Sequence, residues 1–326
     1  MDLSVVFAGT AGSVPTARRG LPATLVRRGG DRILFDCGEG TQRQLIRSVG
    51  LADIDDVFLT HLHVDHWLGL PGMIKSFELR DRERPLTVFG PPGVRAAMDG
   101  LRFVLGRVRF GLSVVELERF EEVERDGYAV TAIPVRHRTP NAYGYALVEP
   151  DRPGRFDAEL AAARGVTPGP DFGRLQRGET VNGVEPHEVM GEARRGRRIV
   201  LSGDTAPCDG IRMAAHGADL LIHEATFTDE ELDRARETLH STARQAAELA
   251  LEAEVRLLAL THLSTRYGGR EIKDEARAVF PNTVVPRDFD VIEIPFAEKG
   301  EPELIRPERG GPSPASAAGR SEAASG

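Results

Sequence analysis

Three of the nine histidines fall within six residues, His61-Leu62-His63-Val64-Asp65-His66, directly after the apolar run Val57-Phe58-Leu59. Side chains alternate along an extended chain, so His61 and His63 face one side, and Asp65 and His66 follow at the turn into the next helix. Neutral imidazoles and a carboxylate converging in one loop make the nitrogen and oxygen donor set that zinc takes. One loop cannot supply every ligand, so partners are sought among His and Asp residues just past other apolar strands. His137 follows Ala132-Ile133-Pro134-Val135, Asp204 follows Ile199-Val200-Leu201-Ser202-Gly203, and His262 follows Leu257–Thr261. Strand exits are where α/β sheets place ligands. Taken singly, each of these three reads equally as a capping or hydrogen-bonded side chain. Their shared placement, beside a His-x-His-x-Asp-His loop, marks them as the missing ligands.

The surrounding sequence supplies elements to hold these residues. Leu3–Ala8, Ala23–Arg28, Arg32–Asp36, Asp56–Thr60, Leu86–Phe89, Ser113–Glu116, Tyr128–Pro134 and Ala142–Glu149 read as strands. Thr41–Ser48 reads as a helix with Leu45 and Ile46 inward, and Leu68–Leu79 as another with Leu70, Met73, Ile74 and Phe77 inward. The second half repeats the alternation. Arg198–Leu201, Asp219–His223, Leu257–Thr261 and Val291–Pro295 are strands, Ile272–Phe280 is a helix, and Ser241–Ala253 is a helix capped by Ser241. The class is α/β. Residues 150–196 hold five prolines and little periodicity, and read as an inserted, partly extended arm around Pro168-Gly169-Pro170, or as a plain surface loop. From about Pro307 the chain is Gly, Pro, Ser, Ala and Arg, too poor in apolar surface to order, so 307–326 reads as a disordered tail.

The charge balance is −8, from 42 Lys and Arg against 50 Asp and Glu. That argues against coating nucleic acid or anionic membrane by bulk charge, and leaves local basic patches open. Only Lys75, Lys273 and Lys299 are lysines; the other cations are arginines, which suit bidentate contact with phosphate or carboxylate. Cys37 and Cys208 exclude a disulfide framework and a Cys-x-x-Cys knuckle, and read as thiols in a reducing cytoplasm. The N-terminus reads as a strand rather than a signal peptide, and no apolar run approaches the ~20 residues of a membrane helix.

The histidine loop with His137, Gly203-Asp204 and Thr261-His262 resembles the metallo-β-lactamase superfamily, which implies an αββα sandwich. Over roughly residues 3–296 the chain further resembles the ribonuclease Z family, through GTAGSVPT at 9–16, FDCGEGTQ at 35–42, THLHVDH at 60–66, GLPG at 69–72, FGPP at 89–92, RPGRFD at 152–157, TPGP at 167–170, SGDT at 202–205, HEATF at 223–227, HST at 240–242 and LTHLSTRY at 260–267. The resemblance implies a catalytic domain over 1–306 and removal of the 3′ trailer from precursor tRNA, leaving a 3′-hydroxyl and a 5′-phosphate. It implies two zinc ions per subunit, one held by His61, His63 and His137, the other by Asp65, His66 and His262, with Asp204 bridging. Asp65 is then the general base. His240, oriented by Glu224, is the acid that protonates the leaving 3′-oxygen. The arm at 150–196 occupies the position of an exosite that clasps the tRNA elbow. A cytoplasmic homodimer, with no membrane attachment, is implied as well.

Several residues stay open on sequence alone. His223 either supports Asp204 or the fold, and His187 and His216 carry no metal role. Gly9, Gly12, Gly38 and Gly40 stand in turns beside the expected cleft, Asp36 is placed to hydrogen-bond around the metal loop, and Cys37 reads as packing. The arm is only mildly basic, with nine arginines against eight acids over 151–199. Arg152, Arg155, Arg174, Arg177 and the cluster Arg194-Arg195-Gly196-Arg197-Arg198 are expected at phosphates. The chain departs from the family's Pro-x-Lys-x-Arg-Asn at Pro15-Thr16-Ala17-Arg18-Arg19-Gly20, where Ala17 replaces Lys and Gly20 replaces Asn, so the treatment of CCA-bearing precursors stays open. Val64 stands where glycine is common. Two other readings compete: an aryl sulfatase or small-molecule phosphodiesterase on the same fold, and a non-catalytic RNA-binding module. The His-Glu-Ala-Thr and His-Ser-Thr segments and the arm oppose the first, and the complete ligand set opposes the second.

Overall fold

The structure, a computed structural model, describes residues 1–51 and 54–307. Six strands open the chain: β1 (Leu3–Gly9), β2 (Ala23–Arg28), β3 (Asp31–Phe35), β4 (Asp56–Phe58), β5 (Leu86–Gly90) and β6 (Leu112–Glu116). Seven more, β7 (Glu122–Arg125), β8 (Tyr128–Pro134), β9 (Tyr143–Val148), β10 (Arg198–Leu201), β11 (Leu220–Glu224), β12 (Leu258–Thr261) and β13 (Thr283–Val284), form a second sheet in reverse sequence order. The chain then returns with β14 (Val291–Glu293) and β15 (Glu303–Ile305) to complete the first sheet, ordered β15-β14-β1-β2-β3-β4-β5-β6. Helices α1 (Thr41–Ser48), α2 (Val64–Trp67), α3 (Leu70–Leu79), α4 (Val94–Gly100) and α5 (Arg102–Leu105) connect strands of the first sheet. Two more, α6 (Ala158–Ala163) and α7 (Pro170–Gln176), lie in the inserted segment, and α8 (Asp209–Ala214), α9 (Leu232–Thr238), α10 (Ala243–Glu252) and α11 (Gly269–Arg277) accompany the second sheet.

Alternation along each strand separates three apolar clusters, and these define four layers. Val5 and Phe7 of β1 enter the cluster between the sheets, whereas Val6 and Ala8 pack toward the helices with Leu45, Leu70, Met73 and Phe77. On the far side Val200, Leu221, Leu258 and Leu260 pack against Ala246, Ala247, Ala250 and Ile272. Burial on both faces explains why the strands read as nearly unbroken apolar runs. The result is the αββα sandwich. Between the sheets Phe58 stacks on Phe89 at 4.6 Å and Phe35 at 5.4 Å, and the Tyr145 hydroxyl donates to the Leu59 carbonyl at 2.7 Å. The strand entering the histidine loop is thereby tied to the opposite sheet. A charged clamp also joins the sheets. Glu149, just past β9, accepts from Arg28 of β2 at 2.7 Å and from Arg197 at 2.7 and 2.9 Å, with all three side chains buried.

Several local expectations are corrected. Leu45 is buried on α1, but Ile46, one position round the helix, is 46% exposed; the inward stripe is Thr41, Leu45 and Ser48 at helical spacing. The cap of α10 is Thr242, whose side chain accepts from Gln245 N while the Gln245 side chain accepts from Thr242 N; the Ser241 hydroxyl instead donates to Thr205 O. The segment 150–196 is not simply extended. It leaves the body on paired backbone at Arg152 with Arg194 and Phe156 with Met190, and closes on its own apolar cluster of Ala161, Val166, Leu175, Val181, Val184 and Val189. The tail expected at 307–326 falls, beyond Pro307, outside the described residues.

Candidate metal centre

Four strand exits meet at one end of the sandwich. β4 leads into His61 and His63, β8 toward His137, β10 into Asp204 and β12 into His262. Asp65 and His66 stand on α2. Their donor atoms fall into groups whose members lie within 4.8 Å of one another: His61, His63, His137 and Asp204 in one, and Asp65, His66 and His262 in a second. Asp204 is central. Its Oδ2 lies 3.2 Å from His262 Nε2, 3.3 Å from His66 Nε2, 3.8 Å from His61 Nε2 and 4.0 Å from His137 Nε2. Asp65 Oδ2 is 3.5 Å from the Nε2 atoms of both His66 and His262.

The far sides of the rings fix which nitrogen faces inward. His66 Nδ1 donates to Asp36 Oδ2 at 2.7 Å, and His137 Nδ1 to the Leu239 carbonyl at 3.2 Å. Thr60 Oγ1 donates to Asp36 and so accepts from His61 Nδ1 at 3.0 Å. Thr226 Oγ1 donates to Glu224 Oε2 at 2.6 Å and accepts from His262 Nδ1 at 2.8 Å. Each Nε2 is left with a lone pair turned to the centre, the tautomer that metal-ligating histidines adopt. His66 Nε2 and His262 Nε2 face each other at 3.4 Å, and His61 Nε2 is buried with no hydrogen-bond partner among the described residues. Facing lone pairs and an orphaned buried nitrogen are costly unless a cation lies between them. The donor set therefore fits divalent metal binding.

A second pair flanks the centre. His240 lies in the turn between α9 and α10, and its Nδ1 is 2.7 Å from Glu224 Oε1 and 4.0 Å from Asp204 Oδ2. Burial lowers the ring's basicity, but Glu224 outweighs it and raises the pKa to about 9. Glu224 also accepts from Thr205 N and Thr226 N. One carboxylate thus ties together the loop after Asp204, the orienter of His262, and His240. His240 is near enough to join a group with Asp204 and His262, but the carboxylate already holds its Nδ1.

Strained and tight backbone surrounds the site. Ser13, Asp36, Leu239 and His262 all have φ between 55° and 58°, at the 57°, 58°, 56° and 55° observed. Non-glycine residues in this region persist only where their surroundings hold them. The Ser13 N–H donates to Asp65 Oδ2 at 2.9 Å, and Asp36 accepts from Thr60 N at 2.8 Å. At two glycines the reason is close approach: a Cβ on Gly12 would meet His262 Nδ1 at 2.5 Å, and one on Gly38 the Asp65 carbonyl at 2.3 Å. Thr60, Thr226, Leu239 and Ser13 are the residues that sequence reasoning missed. Thr60, Thr226 and Ser13 stand inside quoted motifs, but Ser13, like Leu239, acts through a backbone atom, which residue type does not reveal.

Other residues take structural places. His223 is buried with Nδ1 donating to the Glu224 carbonyl at 2.8 Å, and joins none of the donor groups. Burial pushes the Cys37 thiol upward, away from reactivity. Arg197, expected at phosphate, is buried on Glu149 and out of reach of a ligand. Arg174 pairs with Glu179 and Asp171, Arg195 with Asp219, and Arg152 and Arg194 with Glu298.

A family model described as the metallo-beta-lactamase superfamily matches residues 22–262. A ribonuclease Z from Gemmatimonas aurantiaca is 46% identical over 308 residues, covering 92% of this chain and 98% of the relative. A ribonuclease Z from Methanosarcina acetivorans is 44% identical over 303 residues, covering 90% and 99%. The crystal structure of human tRNase Z, short form, aligns with a TM-score of 0.67 at 28% identity over 90% of this chain and 99% of that one. The metallo-beta-lactamase fold protein YhfI from Bacillus subtilis aligns at 0.68 with 18% identity over 90% and 100%, a likeness of fold alone.

Proposed function

The chain belongs to the metallo-β-lactamase superfamily and, within it, to the ribonuclease Z family of nucleases, and from that premise we propose that it is a zinc-dependent endoribonuclease that removes the 3′ trailer from precursor tRNA. The observation that carries this reading is the His240–Glu224 pair, poised 4.0 Å from the carboxylate at the centre of the two donor groups. A phosphodiester with an alkoxide leaving group needs both phosphate neutralisation and an acid, and this site offers both.

In this reading His61, His63 and His137 would hold one zinc and Asp65, His66 and His262 the other, with Asp204 serving both groups. Bound there, the two ions supply Lewis-acid neutralisation of the phosphate and lower the pKa of the attacking water. The chain's own groups do the rest. Asp65 Oδ2, fixed by the Ser13 N–H, accepts the proton of that water. Glu224 keeps His240 charged and aimed, and His240 gives its proton to the departing 3′-oxygen. Protonation of that oxygen leaves a 3′-hydroxyl on the tRNA and a 5′-phosphate on the trailer.

Residues 1–306 form the catalytic domain, with 150–196 as the arm that holds the tRNA away from the cut. The active form is a cytoplasmic homodimer in which one subunit's arm serves the other's site. Among the described residues no helix is long and apolar enough to cross a membrane. The test is to incubate zinc-loaded protein with precursor tRNAs with and without CCA and map both new ends. A single cut at the 3′ end of the tRNA body, with 3′-hydroxyl and 5′-phosphate ends, supports the reading. Hydrolysis of bis(p-nitrophenyl) phosphate without cleavage of any precursor overturns it in favour of a small-molecule phosphodiesterase.

A further inference from the structure

A cleft of about 410 Å³ opens beside His240, between the exits of β8 and β10 and the turn joining α9 to α10. Its size falls within the roughly 300–1,000 Å³ of ordinary ligand sites. Arg136, Pro207, Arg236, Leu239, His240 and Gln245 line it, and none of the seven metal-donor residues does. The cleft therefore adjoins His240 without touching any of the metal donors.

Its lining has two characters. Pro207 and Leu239 offer apolar surface, while two guanidiniums and an amide offer donors. Arg136 has its backbone fixed against Thr205 and Ala206, but its guanidinium has no hydrogen-bond or carboxylate partner among the described residues. Arg236 meets only Asp233, one helical turn earlier, at 3.5 Å with both side chains largely exposed. Such an exposed pair contributes little and exchanges readily for a phosphate. Gln245 spends its Oε1 on the α10 cap, which leaves its amide N–H groups with no partner among the described residues.

The direction of the chemistry identifies the occupant. His240 protonates the departing 3′-oxygen, so the nucleoside carrying that oxygen must lie on His240's side, opposite the attacking water. We propose that this cleft is the subsite for the terminal nucleoside of the retained strand, with Arg136 and Arg236 on the phosphate at its 5′ side, Pro207 and Leu239 against the base, and the Gln245 amide at the base edge. The inference rests on the reading of the site as a 3′-processing nuclease and adds where the retained end sits.

The test compares two labelled trinucleotides on the zinc-loaded protein, one ending in a 3′-hydroxyl and one beginning with a 5′-phosphate. Arg136→Gln and Arg236→Gln each weaken the 3′-hydroxyl probe about tenfold, as befits loss of a charged hydrogen bond, and leave the 5′-phosphate probe nearly unmoved. The same variants raise KM for precursor tRNA more than they lower kcat. Gln245→Ala alters the preference among terminal bases. Both arginines are exposed, and an unchanged melting temperature verifies the fold of each variant. Equal weakening of the two probes, or no weakening of either, overturns the subsite. Absence of precursor cleavage by the unaltered protein overturns instead the reading on which it rests.

Discussion

At the scale of single residues, the outer hydrogen bonds decide more than the ligand count suggests. Glu224 accepts from His240, Thr205 and Thr226, and through Thr226 it also sets the His262 ring. Glu224→Gln is expected to reduce kcat on precursor tRNA by about 10²–10⁴, the range of a lost general acid. Hydrolysis of bis(p-nitrophenyl) phosphate should fall far less, because an aryloxide leaves without protonation. Equal losses on the two substrates would show that Glu224 acts only by holding the metal site together. Asp36 poses a different question, since it touches His66 and Thr60 but none of the other donors directly. Asp36→Asn should weaken metal retention about 10–100-fold, the usual cost of removing a carboxylate behind a ligating histidine. A competitive chelator titration reads this directly. The candidate donors themselves were legible because imidazoles and carboxylates recur at strand exits. Of their orienters only Asp36 was legible, since a threonine hydroxyl, the Leu239 carbonyl and the Ser13 N–H carry no mark in residue type.

At the scale of elements, the clamp at Glu149 joins β2, β9 and the start of β10. Burial opposes its charge, but Arg197 and Arg28 outweigh that and hold the carboxyl below the usual value of 4.5. A carboxyl depressed in this way adds stability that is fully present above 4.5 and is lost as pH falls through the lowered value. Glu149→Gln should cost about 3–5 kcal/mol at neutral pH, because two buried guanidiniums lose their counter-charge. The variant's loss of stability on acidification should be correspondingly shallower, and denaturant titrations at several pH values check both. The same elements show what the sequence could and could not disclose. The central strands were legible because they are apolar on both faces, whereas β7, β13 and β15 were not, because they are two to four residues long and lie at sheet edges. Ile46 was not, because a single apolar residue at the edge of a helical stripe can face either way. Thr242 and Ser241 are both good caps, and only the three-residue step to Gln245 distinguishes them. The arm's small core is built from scattered Val, Ala and Leu whose contacts are set by turns rather than by period. Its ends nearly touch, with Gly191 N donating to the Arg155 carbonyl at 2.8 Å. Deletion of 155–190 should therefore leave the body folded and impair cleavage of precursor tRNA, while hydrolysis of bis(p-nitrophenyl) phosphate survives. Equal loss on both substrates would deny the arm a role in substrate binding.

At the scale of the whole molecule, a balance of −8 looks unfavourable for an RNA partner. The structure sharpens the difficulty, because many arm arginines already meet carboxylates and Arg197 is buried. An acidic body cannot hold tRNA by bulk charge, so the substrate must be recognised by shape at separated points. A homodimer satisfies that demand when the arm of one subunit presents tRNA to the site of the other. The proposal makes a sharp demand on mixed dimers. A subunit lacking 155–190 has an intact site and no arm, whereas an Asp204→Ala subunit has an arm and no working site. Each homodimer should be nearly inactive on precursor tRNA. After dissociation and random reassociation, about half the dimers are mixed, and each holds one working arm-to-site pair, so roughly a quarter of the original activity should return for a two-fold symmetric assembly. An arm serving its own subunit gives no recovery at any mixing ratio, because no chain in the mixture carries both parts. Recovery that rises with the mixed-dimer fraction therefore measures action across the interface, and its absence after confirmed subunit exchange assigns the arm to its own site.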